Sequence, residues 1–313
     1  MNQIGDLLFS LPALYNLRAR YPNAHISSIV RPSCRELLSC SGLADEIIER
    51  PHGSTADDLR LARSLRGKHT DLALLFSTSV AVWAMALLSG ARARVGFTHS
   101  LGGLFLTKRV PWSEPPSTQN NLKLVEAIGC PIVKDSYVGL VKPDKHAQDE
   151  AEKILQSVGL AEGFTVIAPG TSGGREIKAW SSQGFAQVAD RLASEHGLKT
   201  MVVGLKGRKE ICSLSRNAVD LTGKTPLPVL AAILERAKIF VGVDSGLMHL
   251  AAAMGTPVVG LFGPTNPDIT GPQGEGHAIV SMNLPCSPCL KSECREPVCM
   301  NRITPEQVME SVK

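Results

Sequence analysis

The sequence predicts an α/β fold of parallel sheets in two domains, and three observations lead to it. Short apolar strands alternate with helical patterns along nearly the whole chain, the signature of parallel α/β units. A length of 313 residues exceeds the usual size of one core and predicts two domains of about 150 residues each. Residues 239–263, IFVGVDSGLMHLAAAMGTPVVGLFG, read as strand, turn, helix and strand. The first strand ends at Val243, Asp244-Ser245-Gly246 turns, a helix covers 247–254, and a second strand covers 257–262.

In the first half, strands are expected at 25–30, 46–49, 71–76 and 93–96, with helices at 11–20, 56–65 and 80–88. Residues 111–118 are rich in Pro and Ser and read as a loop, followed by a helix over 121–128. Past a domain boundary placed near 140–147, a charged amphipathic helix from Lys145 opens a second series. Strands follow at 164–168, 199–204 and 219–221, and helices at 183–196, 208–216 and 227–237. Thr304-Pro305-Glu306-Gln307 combines a Thr cap, Pro at the first helical position and Gln at the capping-box position, so the last helix covers 305–312.

Composition excludes several classes. A hydrophobic fraction of 43% with 20% charged residues is that of a soluble globular protein. The longest apolar run, from Val80 to Leu88, falls well short of the roughly 20 residues that cross a bilayer. The start MNQIGDLLFSLP has no basic region and no small-residue cleavage site, unlike a secretory signal. A net charge of +4 suits anionic substrates or an anionic membrane surface, or serves solubility alone, and does not indicate nucleic acid.

Four places could carry chemistry. A polar turn that opens a helix presents backbone N–H groups at the positive end of the helix dipole, which suits phosphate. Gly246 lets a ligand approach the backbone, and His249 faces the same side as Ser245, four residues earlier. The competing reading is an ordinary helix capped by Asp244. The stretch PGTSGGREIKAW, 169–180, follows a strand and offers hydroxyls and a point charge at Lys178, or is a surface loop with a solvated lysine. Ligands bind at the carboxyl ends of strands in open α/β sheets, so these two loops are expected to converge. Pro12 is poorly tolerated inside a helix, so the first helix is expected to start near Ser10, leaving Asp6 in a loop as a base or as a local hydrogen-bond acceptor. Cys286, Cys289, Cys294 and Cys299 have a spacing that could enclose zinc or an iron–sulfur cluster, with local crosslinking or burial as alternatives. Cys34, Cys40, Cys130 and Cys212 are scattered, against a disulfide framework. The string LTGKT, 221–225, has Ala218 where a P-loop needs its first glycine, which argues against that site.

In order along the chain, IGDLLFSLPAL, PGTSGGREIKAWS, DLTGKT, VGVDSGLMHLAAAMGTPVVGLFGPTNP and a terminal CSPC with ITPEQV resemble the lipopolysaccharide heptosyltransferases of glycosyltransferase family 9. The resemblance implies a GT-B fold: two Rossmann-like domains facing a cleft, an acceptor-binding domain over 1–144, a nucleotide-sugar domain over 145–302, and a helix over 303–313 returning to the first. It implies heptose transfer from ADP-heptose to the lipopolysaccharide inner core, with inversion, without a required metal or other cofactor, at the cytoplasmic face of the inner membrane. Asp6 would be the general base. Donor contacts would come from Thr171, Ser172, Lys178, Glu210, Asp244, Ser245, Gly246, Leu247 and His249, with Glu210 on the ribose and Asp244 on heptose hydroxyls. Other readings are a further GT-B enzyme such as a nucleotide-sugar 2-epimerase, or a non-catalytic nucleotide-sugar-binding remnant.

The chain departs from that family at one point. Members carry a hydrophobic strand of about eight residues ahead of IGD, where this sequence has Met1-Asn2-Gln3. Such a strand is central in a Rossmann-like domain, so its loss predicts two exposed strand edges and a gap in the core. An upstream start is the expected explanation; a destabilised, inactive copy is the alternative.

Overall fold

A computed structural model of the chain describes residues 3–50, 55–98, 100–113, 117–170, 176–205 and 209–312. The chain divides into two compact units, Met1–Tyr137 and Val138–Lys313.

The first unit opens with α1 (Ile4–Arg20), which corrects the expected start at Ser10: Asp6 lies in its first turn and Pro12 lies inside it. A proline inside a helix costs about 3 kcal/mol through its missing N–H and its clash with the preceding turn. Leu7, Leu8, Leu11 and Leu14 are all buried along this helix, and each buried side chain of that size contributes about 1.5–3 kcal/mol. Packing therefore outweighs the proline. There follow β1 (Ser27–Val30), α2 (Pro32–Ser39), β2 (Glu46–Glu49), α3 (Thr55–Arg66), β3 (Leu72–Leu75) and α4 (Val80–Leu88). The unit ends with β4 (Ala93–Thr98), β5 (Lys108–Pro111) and α5 (Thr118–Glu126). Neither α2 nor β5 was expected from the sequence; α2 is announced only by its N-terminal proline, and β5 is four residues long and ends in Pro111.

The strands of this unit form two separate parallel sheets, β1-β2 and β3-β4-β5. Ser27 stands opposite Glu46, and Leu72 opposite Ala93. Among the described residues no strand joins β1 to β3. A cavity of about 1080 Å³ lies there, lined by Ser28 and Val30 of β1, Leu72 and Leu74 of β3, and Phe9 and Leu14 of α1.

The second unit contains α6 (Lys145–Ser157), β6 (Phe164–Ala168), α7 (Ser182–His196), β7 (Lys199–Val202), α8 (Lys209–Leu214), β8 (Ala218–Asp220) and α9 (Leu227–Arg236). It continues through β9 (Ile239–Val243), α10 (Gly246–Ala253), β10 (Val258–Phe262), α11 (Pro267–Thr270), β11 (Ala278–Ser281), α12 (Val298–Asn301) and α13 (Pro305–Glu310). Its parallel sheet has the order β11-β10-β9-β6-β7-β8. That is the doubly wound order, with the first strand central and the chain turning outward on each side of it. Every residue of β6, β9 and β10 is buried, as expected for parallel strands covered by helices on both faces. The capping box expected at Thr304 and Gln307 is present, and Val308 and Met309 of α13 enter the same core as Trp180, Phe185 and Val188.

Candidate functional site

The site grows from the strand order. β6 and β9 are neighbours, and the chain turns from β6 to opposite sides of the sheet, so the loops beyond their carboxyl ends flank the topological switch point where open α/β sheets bind ligands. After β6 a 3-10 turn, Glu176–Lys178, delivers Lys178. Trp180 anchors that turn: it is buried, its indole Nε1 donates to the Ile303 carbonyl at 3.0 Å, and its ring meets Phe185 edge-on. After β9, Asp244-Ser245 leads directly into α10. Beneath the site the two strands come close, because an atom added at Gly242 would stand 2.8 Å from the Ala168 carbonyl oxygen.

The Lys178 ammonium donates to Asp244 Oδ2 at 2.5 Å, and the Thr265 hydroxyl donates to the same oxygen at 2.7 Å. Asp244 is buried and Lys178 partly so, with side-chain exposures of 8% and 13%, so each depends on the other for compensation. His249 Nε2 lies 3.9 Å from Asp244 Oδ1. Burial pushes the His249 imidazole down to about 4, with Lys178 acting in the same sense and Asp244 against it, so the ring is neutral at pH 7. Asp244 does not cap α10. Ser245 is the N-cap and its side chain makes no capping bond; its hydroxyl oxygen is buried without a hydrogen-bond partner. A helix N-terminus, a lysine and an unpartnered buried hydroxyl are the kinds of group that suit an anion.

Gly246 and Leu247 form the first turn of α10, beside Ser245. Glu210 lies in the first turn of α8, where its Oε2 accepts from the Ser182 hydroxyl at 2.9 Å; it follows β7, the neighbour of β6. Thr171 and Ser172 lie outside the described residues. Asp6, in the first unit, is half-buried, lines the cavity beside α1 and acts electrostatically on the buried Cys34 thiol. Cys286 and Cys294 are exposed and Cys299 is buried; all four C-terminal cysteines are thiols. Among the described residues no group of three or more His, Cys, Asp or Glu is placed to hold a metal ion. Thr265 is the residue that sequence reasoning missed: it belongs to the GPTNP string, but nothing in that string announces a bond to a carboxylate 21 positions earlier.

The model of glycosyltransferase family 9 (heptosyltransferase) matches residues 59–299. Lipopolysaccharide heptosyltransferase 2 of Escherichia coli (strain K12) is 25% identical, across 99% of this chain and 94% of its own length. Lipopolysaccharide heptosyltransferase 3 of the same strain is 27% identical, across 85% and 81%. Among solved structures, E. coli ADP-heptose lps heptosyltransferase II aligns with a TM-score of 0.80 at 23% identity, covering 99% of this chain and 95% of that one. A glycosyl transferase family 9 structure from Veillonella parvula DSM 2008 aligns with a TM-score of 0.81 at 23% identity, covering 98% and 92%. At those identities the structures speak for the fold, which is GT-B.

Proposed function

The chain belongs to glycosyltransferase family 9, the heptosyltransferase family, and from that premise we propose that it transfers heptose from ADP-heptose to the lipopolysaccharide inner core. The observation that carries this reading is the meeting of Lys178, the buried Ser245 hydroxyl and the start of α10 at the switch point of the second sheet. A diphosphate carries more charge than one carboxylate. Lys178 therefore turns from Asp244 to the donor, helped by the N–H groups of Ser245, Gly246 and Leu247, and Asp244 is released to heptose hydroxyls. Glu210 takes the ribose, Thr171 and Ser172 contact the donor, and the neutral His249 supplies hydrogen bonding without charge.

In the reaction the acceptor hydroxyl oxygen attacks the anomeric carbon from the face opposite ADP, and its proton passes to the Asp6 carboxylate. The bond from carbon to phosphate oxygen breaks, and ADP leaves with the electron pair. Charge developing on ADP is offset by Lys178 and the helix start, so no metal or other cofactor is needed. The acceptor is lipid-borne, and on this reading the enzyme meets it at the cytoplasmic face of the inner membrane. No helix among the described residues is long and apolar enough to cross a membrane.

One observation favours a second reading, donor binding without transfer: Asp6 sits in the unit whose sheet is split. Assaying transfer from ADP-heptose to a truncated core, beside ADP binding, separates the two. Transfer that is lost in Asp6→Asn while ADP binding persists supports the enzyme. Binding without transfer by the unaltered chain supports the second reading, and a folded chain that binds no ADP-heptose sinks both.

A further inference from the structure

A helix at a protein surface is polar on its open side, but α4, with the sequence VAVWAMALL, has no polar side chain on any side. One of its faces is used inside the first unit. Trp83 and Ala86 pack with Phe105 and Leu106, and Met85 packs with Ala62 and Leu65 of α3. The opposite face is open. Val80, Leu87 and Leu88 recur at i, i+7 and i+8 and so share one stripe, and they are 63%, 43% and 46% exposed. A 3-10 turn, Ser100–Phe105, packs against α4, and its Leu104 is 77% exposed.

The charge around this stripe has one sign. No Asp or Glu occurs between Asp71 and Glu114, a span that contains Arg92, Arg94, Lys108 and Arg109. Arg109 Nε donates to the Gly103 carbonyl at 3.0 Å, which holds the guanidinium beside Leu104. An atom added at Gly90, two residues past Leu88, would stand 3.8 Å from Arg66 Cγ, so Arg66 of α3 borders the end of the stripe. The acids of α3, Asp57 and Asp58, are paired with Arg60 and Arg50. Asp71 pairs with Arg92 at 3.1 Å with both side chains 81% exposed, and a pair so open takes little from the rim.

We propose that α4 and the Leu104 turn form the surface by which the chain rests on an anionic lipid bilayer. Val80, Leu87, Leu88 and Leu104 enter the boundary between headgroups and acyl chains, and Arg66 and Arg109 meet the headgroup phosphates. Exposed apolar side chains with a basic rim are the two features that this interface rewards. The nine residues of α4 cover about 14 Å, so the helix lies in the interface and does not cross the roughly 30 Å of hydrocarbon. The inference rests on the transferase reading for the source of the bilayer, since that reading gives the acceptor a lipid anchor.

The test is sedimentation of the full chain with vesicles of phosphatidylglycerol and phosphatidylcholine in equal parts, or of phosphatidylcholine alone, read beside solution mass and Tm. The expected result is binding to the anionic vesicles that salt weakens and that falls at least about tenfold on phosphatidylcholine alone. Leu87→Ser combined with Leu104→Ser should weaken it at least about tenfold, Val80→Ser by less, and Arg66→Gln by about fivefold, each at unchanged Tm. Val133→Ser, at a side chain 66% exposed outside the stripe, should change nothing. Failure to bind anionic vesicles overturns the proposal, as does equal weakening by the Val133 and stripe variants. So does a dimer of the unaltered chain that the Leu87 and Leu104 substitutions dissociate, since a second copy would then be the occupant. Neither donor nor acceptor is present, so failure here leaves the transferase reading standing, and a chain that binds vesicles without transferring heptose leaves the lipid surface standing.

Discussion

β3 and β6 are equally apolar strands with different fates. All five residues of β6 are buried, whereas in Leu72-Ala73-Leu74-Leu75 only the last is. Composition does not separate them; neighbours do. β6 has a strand on each edge, whereas β3 pairs with β4 on one edge and meets the cavity on the other. The consequence spreads into the cores. One cluster in the second unit runs from Ile167 through Phe185 and Val241 to Met309, and among the described residues of the first unit smaller clusters gather around Trp83, Phe97 and Ala13. The strands of the second sheet thus gather the helices of one face, α7, α8, α12 and α13, over a single core.

The largest expected effect tests that contrast directly. Amides of β6 should open only with the whole second unit, and those of β3 by local fluctuation, giving exchange at least about 10³-fold faster over Leu72–Leu75 than over Phe164–Ala168. Exchange mass spectrometry at neutral pH reads it, and equal protection would break the comparison.

A second contrast separates chemistry from binding. Asp6→Asn, in the first unit, should lower transfer by about 10²–10⁴-fold and leave the Kd for ADP unchanged. Lys178→Met, in the second, should weaken both, because the lysine meets the diphosphate before and during bond breaking. An Asp6 variant that loses ADP binding to the same degree would place the carboxylate in the donor site instead.

What the sequence could and could not say follows the same division. The bounds of β2, α4 and β6 are legible because short apolar runs sit between clear turn residues, and the approach of Lys178 to Asp244 follows from strand order once the loops after β6 and β9 are recognised. The start of α1 was illegible because local proline chemistry opposed a helix that only tertiary burial explains. Asp244 looks like a cap from its position, yet a lysine 66 residues away claims it. Long-range pairing of that kind has no local signature.

The next effect concerns pH. The unfolded chain takes up a proton on His249 near pH 6.5, and the folded chain only near 4. Between those values the unfolded state binds more protons, so stability is full above about 6.5 and falls as pH drops through the window, by roughly 3 kcal/mol in all. Denaturant midpoints of the second unit measured from pH 7 to 4 should show that slope, and His249→Gln should flatten it. A slope unchanged in the variant assigns the acid sensitivity to other groups.

Smaller still is the cost of adding one methyl group to a strand glycine in each unit. In Gly242→Ala the new carbon meets the Ala168 carbonyl oxygen at 2.8 Å, a backbone atom held between paired strands, and about 1–3 kcal/mol of overpacking is expected. Gly96→Ala meets the Leu106 side chain at 3.0 Å and Leu75 Cβ at 3.2 Å. Leu75 belongs to a strand with the cavity beside it, so it can give way, and the loss should be smaller. Urea unfolding of both variants decides; the reverse order would show that the cavity lends β3 no freedom.

The mildest change is at Thr265. Its hydroxyl shares Asp244 Oδ2 with Lys178, so removing it leaves the carboxylate paired and costs only about 1 kcal/mol, the size of one hydrogen bond. Its effect on donor binding should exceed its effect on folding, because Asp244 must keep its orientation once Lys178 turns to the diphosphate and the pair no longer holds it. Thr265→Val should therefore raise the donor KM by roughly tenfold with a smaller change in kcat, and Thr265→Ser, which keeps the hydroxyl, should restore it. A loss of stability with KM unmoved would reduce Thr265 to a packing residue and leave Lys178 as the sole holder of Asp244.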